Sequence, residues 1–128
     1  MNPKIIVFGN PALPYDNLAL KVGEMLRKEG FSVQHLDDPL ELLKIDFARC
    51  VILDVAYGID AARLLTDVDR LVLGRLSSLH DFDMAYFLKM MKQLGKLGAV
   101  RIIAIPQGLG AQEAAVQVRV LLAKIGQA

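Results

Sequence analysis

The chain has 128 residues, 54% hydrophobic and 23% charged, and its 15 Lys and Arg against 14 Asp and Glu leave a formal net charge of +1. That balance predicts one globular domain, residues 1–128, burying about two-thirds of the surface its unfolded form exposes. It excludes a disordered or fibrous class, and the dispersed basic residues give no reason to expect a nucleic-acid partner.

Mean hydropathy is positive at +0.38, yet no apolar run approaches the roughly 20 residues of a spanning helix. Met1-Asn2-Pro3-Lys4 and the short apolar run after it lack the small-residue cleavage site of a secretory signal. No membrane partner is expected, and a cytoplasmic location is the expectation. Cys50 is the single cysteine, which rules out an internal disulfide and a cysteine-rich zinc site. In Arg49-Cys50-Val51-Ile52 it reads as a small buried hydrophobe where a strand starts.

In chain order, "KIIVFG" (4–9) is a β-branched and aromatic run closed by glycine, which predicts a strand buried on both faces. From 18 to 28 the period changes. Leu18, Val22, Met25 and Leu26 share one side and Lys21, Glu24, Arg27 and Lys28 the other, with Gly30 as a stop, which predicts an amphipathic helix. "FSVQHL" (31–36) returns to a strand pattern, "DDPLELLK" is a turn with one helical turn, and "CVILDV" (50–55) is a third buried strand. "ARLLT" and "RLVLGRL" read as strands near an edge, joined by Asp67-Val68-Asp69.

From 81 to 97 a helix is predicted, because Met84, Phe87, Leu88, Met91 and Leu94 recur at helical spacing with Asp83, Lys89, Lys92, Gln93 and Lys96 opposite. "VRIIAI" (100–105) is a strand halted by Pro106, and 112–125 a final amphipathic helix through Ala115, Val118, Leu121, Leu122 and Ile125. The alternation predicts an α/β fold, a three-layer α/β/α sandwich with a mostly parallel central sheet of about five strands. In such sheets ligands bind at the carboxyl ends of the strands.

The polar residues at those ends are Asn10 and Asp16 after the first strand, Asp37 and Asp38 after the second, Asp54 in the third, and His80 at a strand-to-helix junction. Asp54 stands out because an ionised carboxylate in an apolar strand is costly unless a partner or cation satisfies it. Two carboxylates and an imidazole converging there would offer ligands to a divalent metal such as nickel or zinc, or an acid and base pair. Each residue also has a purely structural role open to it. Asp16 suits the cap of a helix beginning near Asn17, His80 suits a capping or carbonyl-binding role, and Asp37 and Asp38 before Pro39 suit a turn. Asp81 and Asp83 suit the positive end of a helix.

Other motifs are missing. Gly9 is followed by Asn10-Pro11-Ala12 rather than a dinucleotide fingerprint, and there is neither a P-loop G-K-[ST] nor a G-x-S-x-G elbow. A phosphoacceptor receiver would place its acidic pair after the first strand and a lysine after the last, where Pro106-Gln107-Gly108 stands.

"VFGNPALPYDNLALKVGEML", "VILDVAYG", "SSLHDFDMAYFLKMM" and "VRIIAIPQ" together resemble the hydrogenase maturation proteases, which trim the C-terminus of the nickel-iron hydrogenase large subunit. The match lies at Gly9, Asn10 and Asp16, then at Asp54 closing the third strand, then at His80 opening a helix. Differences stand beside it. Tyr15 occupies the first acidic position, Asn17 and Ala19 replace glycines, and "LDDPLE" replaces an Asp-Gly-Gly segment.

The resemblance implies that Asp16, Asp54 and His80 contact nickel carried by the substrate and serve catalysis. It further implies that the partner is a hydrogenase large-subunit precursor, and that the two prolines of "PALPYDN" stiffen the loop presenting Asp16. On this reading the chain is an endopeptidase that removes a C-terminal extension, with one of the carboxylates as base. The alternative, supported by Tyr15 and the missing glycines, is a non-catalytic metal-sensing or hydrogenase-binding module.

Overall fold

The computed structural model describes residues 3–7, 17–36, 41, 44–66, 93 and 101–126. Its elements are β1 (Lys4–Val7), α1 (Leu18–Lys28), β2 (Val33–His35), a 3-10 turn (Phe47–Arg49), β3 (Cys50–Ala56), β4 (Arg63–Leu65), β5 (Ile102–Pro106) and α2 (Ala111–Gly126). The five strands form one sheet in the order β2-β1-β3-β5-β4. All neighbours are parallel except β4, which runs antiparallel to β5 at the edge.

Strand β3 is buried at every position, as expected of a central strand in a sheet covered on both sides. Alternation along the strands sorts the core into two faces. Ile5, Val7, Val51, Leu53, Val55, Ile103 and Ile105 point to the face covered by α1 and α2 and form one cluster with Leu18, Val22, Leu26, Val118 and Leu122. On the other face Ile6, Ile52, Asp54, Ala56, Ile102 and Ala104 are also buried, none more than 3% exposed. Two covered faces around a mostly parallel sheet are the layering of an α/β/α fold. Gln93, within the helix expected at 81–97, is helical and exposed. Among the described residues no helix is long and apolar enough to cross a membrane.

Local chemistry sets the element ends. Asn17 caps α1, and its carbonyl accepts the Lys21 N–H at 3.0 Å. At the other end Gly30 takes φ +100°, a conformation that L side chains rarely adopt, and the Phe31 N–H turns back to the Leu26 carbonyl at 3.1 Å. That return occupies Phe31, so β2 starts at Val33 rather than at 31. Helix α1 lies close over β1 and β2 because Gly23 has no side chain. A Cβ there would stand 2.9 Å from Val7 Cγ2 and 3.3 Å from Val33 Cγ1.

Helices α1 and α2 are neighbours on this face. Arg119 joins them by donating from Nε and Nη2 to the two carboxylate oxygens of Glu29, at 2.7 and 2.9 Å.

At the far end of the chain Pro106 belongs to β5 rather than halting it. It is the last strand residue, paired with Ala56, where its missing N–H disrupts no further ladder, and its carbonyl receives the Leu109 N–H at 3.2 Å to start the turn into α2.

Of the two edge strands expected between 56 and 78, the first is β4, and residues 70–76 lie outside the described residues. The 3-10 turn was not anticipated. Asp46 caps it, its carboxylate accepting the Ala48 N–H at 3.1 Å.

Candidate functional site

The carboxyl edge of the sheet is where this fold places ligands, and Asp54 lies there. Its strand runs two residues past it, to Ala56, rather than closing on it. Val7, the last residue of β1, pairs with Leu53, so Asp54 is one register step beyond the described end of that strand. It is fully buried, at 0% exposure, and the single charged or polar residue among the buried described residues.

One carboxylate oxygen, Oδ1, accepts the N–H of Val55 at 2.8 Å, and this is not the side chain's only interaction. A backbone N–H to a carboxylate is a charge-assisted bond, which fixes the orientation of the group as well as offsetting the cost of its burial.

Register places Asp54 in a row across the sheet. It pairs with Ala104 of β5, and Ala104 with Arg63 of β4, so the three share the face opposite α1 and α2. Ala104, a small residue, separates the carboxylate from the guanidinium, and Arg63 Nη2 lies 3.6 Å from Asp60 Oδ1 near the solvent. Beneath this row runs an apolar one, Ile6, Ile52, Ile102 and Leu65. The carboxylate therefore has hydrocarbon on one side and the loops of the carboxyl edge on the other.

Two of those loops are described. After β3 the chain turns at Gly58, with φ +77°, and after β5 Gln107 keeps the ladder for one more bond, its N–H donating to the Ala56 carbonyl at 3.2 Å. Gly110 then opens α2, its carbonyl accepting the Ala114 N–H at 2.9 Å.

Of the other expected site residues, Asp16 and His80 lie outside the described residues, as do Asn10, Tyr15, Asp37 and Asp38. The cap position of α1 falls on Asn17, immediately after Asp16, and Asn17 makes no side-chain cap bond. Among the described residues no three His, Cys, Asp or Glu side chains gather to hold a metal ion. Asp54 is the one member of the expected nickel-contacting set that they include.

Cys50 begins β3 and is buried, as expected. Burial pushes its thiol above the ordinary value of 9.0; Lys4 pulls it back, Asp46 adds to the rise and Arg101 opposes it. A protonated, buried thiol is a poor nucleophile, consistent with a packing role.

The partners of Asp54 in its row, Ala104 and Arg63, were not singled out from the sequence. A small residue in an otherwise bulky run, "IIAIP", was the available signal for the first.

No family model matches the chain, and no curated protein matches it significantly. Among solved structures it is similar to an uncharacterized protein from Wolinella succinogenes, with 14% identity and a TM-score of 0.56 over 99% of this chain and 96% of that one. At that identity the likeness concerns the fold alone, and it extends over nearly the full length of both chains.

Proposed function

We propose that the chain is an endopeptidase that removes the C-terminal extension of a nickel-loaded nickel-iron hydrogenase large-subunit precursor. The observation that carries this reading is Asp54, a fully buried carboxylate held by a backbone N–H near the carboxyl edge of a parallel sheet. It is supported by the sequence around it, where Gly9-Asn10 and Asp16 follow β1 and His80 precedes the helical pattern of 81–97.

Nickel belongs to the substrate on this reading. Asp54, Asp16 and His80 provide two oxygen donors and one nitrogen donor to it, a set that suits a divalent transition metal. The metal orients and polarises the scissile peptide for attack by water, with a carboxylate of the set as base. The Val55 N–H holds Asp54 in one orientation, so the free energy of positioning it is spent at folding rather than at each turnover. A cytoplasmic location goes with this substrate.

The test is mass spectrometry of the nickel-loaded precursor before and after incubation with the protein. Loss of a C-terminal peptide with nickel present, and no loss with Asp54→Asn or His80→Ala, is the expected result. A stable nickel-dependent complex with the precursor left intact would favour the second reading, a non-catalytic binding module, to which Tyr15 and Asn17 in place of an acidic residue and a glycine point. Normal cleavage by Asp16→Ala, Asp54→Asn and His80→Ala alike would remove the site assignment.

A further inference from the structure

At the opposite, amino-terminal edge of the sheet a cleft of about 550 Å³ opens on the face away from α1 and α2. Its size falls within the roughly 300–1,000 Å³ of small-molecule sites. Register builds its floor: Lys4 pairs with Cys50, and Ile6, two residues on, pairs with Gln34 of β2. Glu41, Lys44, Ile45 and Asp46 make the wall, with Arg49 of the 3-10 turn. Cys50 precedes Asp54 by four residues on one strand, about 13 Å at ~3.3 Å per residue, so the cleft is separate from the carboxyl-edge site.

The charges of the cleft do not cancel. Arg49 Nε lies 3.5 Å from Asp46 Oδ2, and the other oxygen of Asp46 caps the turn, so that pair is satisfied internally. Lys4, Lys44 and Glu41 also line the cleft, and among the described residues none of these three is engaged in an ion pair. Behind the turn Arg101 adds a further cation, its Nη2 donating to the carbonyls of Ala48 at 3.0 Å and Cys50 at 3.4 Å. Lys4 and Arg101 both favour the charged form of the Cys50 thiol, and Asp46 opposes them. Ile45, half-buried, supplies apolar surface beside these cations, with Ile6 and Cys50 buried beneath the floor.

We propose that this cleft binds a small organic anion with an apolar tail, its carboxylate between Lys4 and Lys44 and its tail against Ile45. The inference does not rest on the peptidase reading, and its test needs no precursor.

Hexanoate is the probe, titrated into the isotopically labelled full chain and followed by amide chemical shifts, with hexylammonium and hexanol as matched cation and neutral controls. Hexanoate should shift the amides of Ile6, Gln34 and Cys50 saturably, with a dissociation constant on the order of 1 mM, and bind about tenfold more tightly than either control. The double variant Lys4→Gln with Lys44→Gln should weaken it by about tenfold with an unchanged thermal midpoint. Equal binding of hexanol, tighter binding of hexylammonium, an absence of saturable shifts, or full affinity in the double variant would each overturn the proposal.

Discussion

Replacing Gly23 by alanine tests whether α1 is held against the sheet by the lack of a side chain. In an exposed helix interior the change stabilises by about 1 kcal/mol, because alanine restricts the unfolded backbone and favours the helix. Here the new methyl would meet Val7 Cγ2 at 2.9 Å and Val33 Cγ1 at 3.3 Å, against about 3.5–4.0 Å for comfortable carbon contacts. Val7 is 1% exposed and sits in the core cluster, so it has little room to retreat. Overpacking of this kind costs about 1–3 kcal/mol, which outweighs the propensity gain and leaves a net loss of about 1 kcal/mol.

Urea denaturation is the assay. With a slope of about 2 kcal/mol/M, the midpoint should fall by about 0.5 M, and Gly23→Val should fall several times further. Val7→Ala removes the nearest obstructing carbon, so the two changes should be coupled by about 1 kcal/mol, with Gly23→Ala less harmful in the Val7→Ala background. A higher midpoint for Gly23→Ala, or strict additivity in the double variant, would refute the close-approach argument.

Asp54→Asn keeps the shape and an acceptor for the Val55 N–H, so circular dichroism should stay that of the wild type, while on the peptidase reading loss of the carboxylate should cut precursor processing by at least ~100-fold; unchanged processing would remove Asp54 from the chemistry. Burial raises the Cys50 thiol above 9.0, so iodoacetamide should label the native chain at pH 8 at least ~10-fold more slowly than the urea-unfolded chain. The same shift makes the folded state prefer the protonated thiol, so its stability contribution is complete below the unfolded value and is lost as pH rises through the folded one. Cys50→Ala should flatten that alkaline decline in pH-dependent denaturation. Arg119→Met removes the two-point link to Glu29; its thermal midpoint should fall at low ionic strength, and the deficit should shrink in concentrated salt.

Much of the fold was legible because its signals are local. The change of period at Leu18 and the stop at Gly30 bracket α1, and the run "CVILDV", apolar but for Asp54, announces a strand buried on both faces. Residues whose role depends on a distant neighbour were harder to read. Gly23 is buried on α1 although it is not a large hydrophobe, because its lack of a side chain lets the helix approach β1. Phe31 looked like strand and is used in the return from α1 instead. Pro106 looked like a stop and ends β5 from within.

At the site, Asp54 was legible as a charge inside an apolar run. Its setting beside Ala104 and Arg63 was not, since that row depends on which strands become neighbours. Asp16 and His80 were picked out by their places at expected element junctions and fall outside the described residues.

The strand order carries a consequence for how the chain acquires its shape. β3 and β4 are consecutive in sequence yet separated in the sheet by β5, the last strand in the chain. The segment 57–62 therefore steps across a slot that stays vacant until residues beyond 101 arrive. Until then one edge of β3, the longest strand, offers unpaired backbone groups to any other strand. During synthesis this exposure lasts until the C-terminal segment has left the ribosome, and a chain truncated before β5 has no means of ending it. The long sequence separation of the pairings that fill the slot also makes folding slow for a domain of this size. Insertion of β5 and docking of α2 then close the structure together, since the Ala62 N–H beside β4 donates to Gln117 Oε1 of α2 at 2.8 Å. The C-terminal segment thus acts as the keystone of the sheet, and aggregation of nascent or truncated chains, rather than loss of a peripheral helix, is what its absence entails.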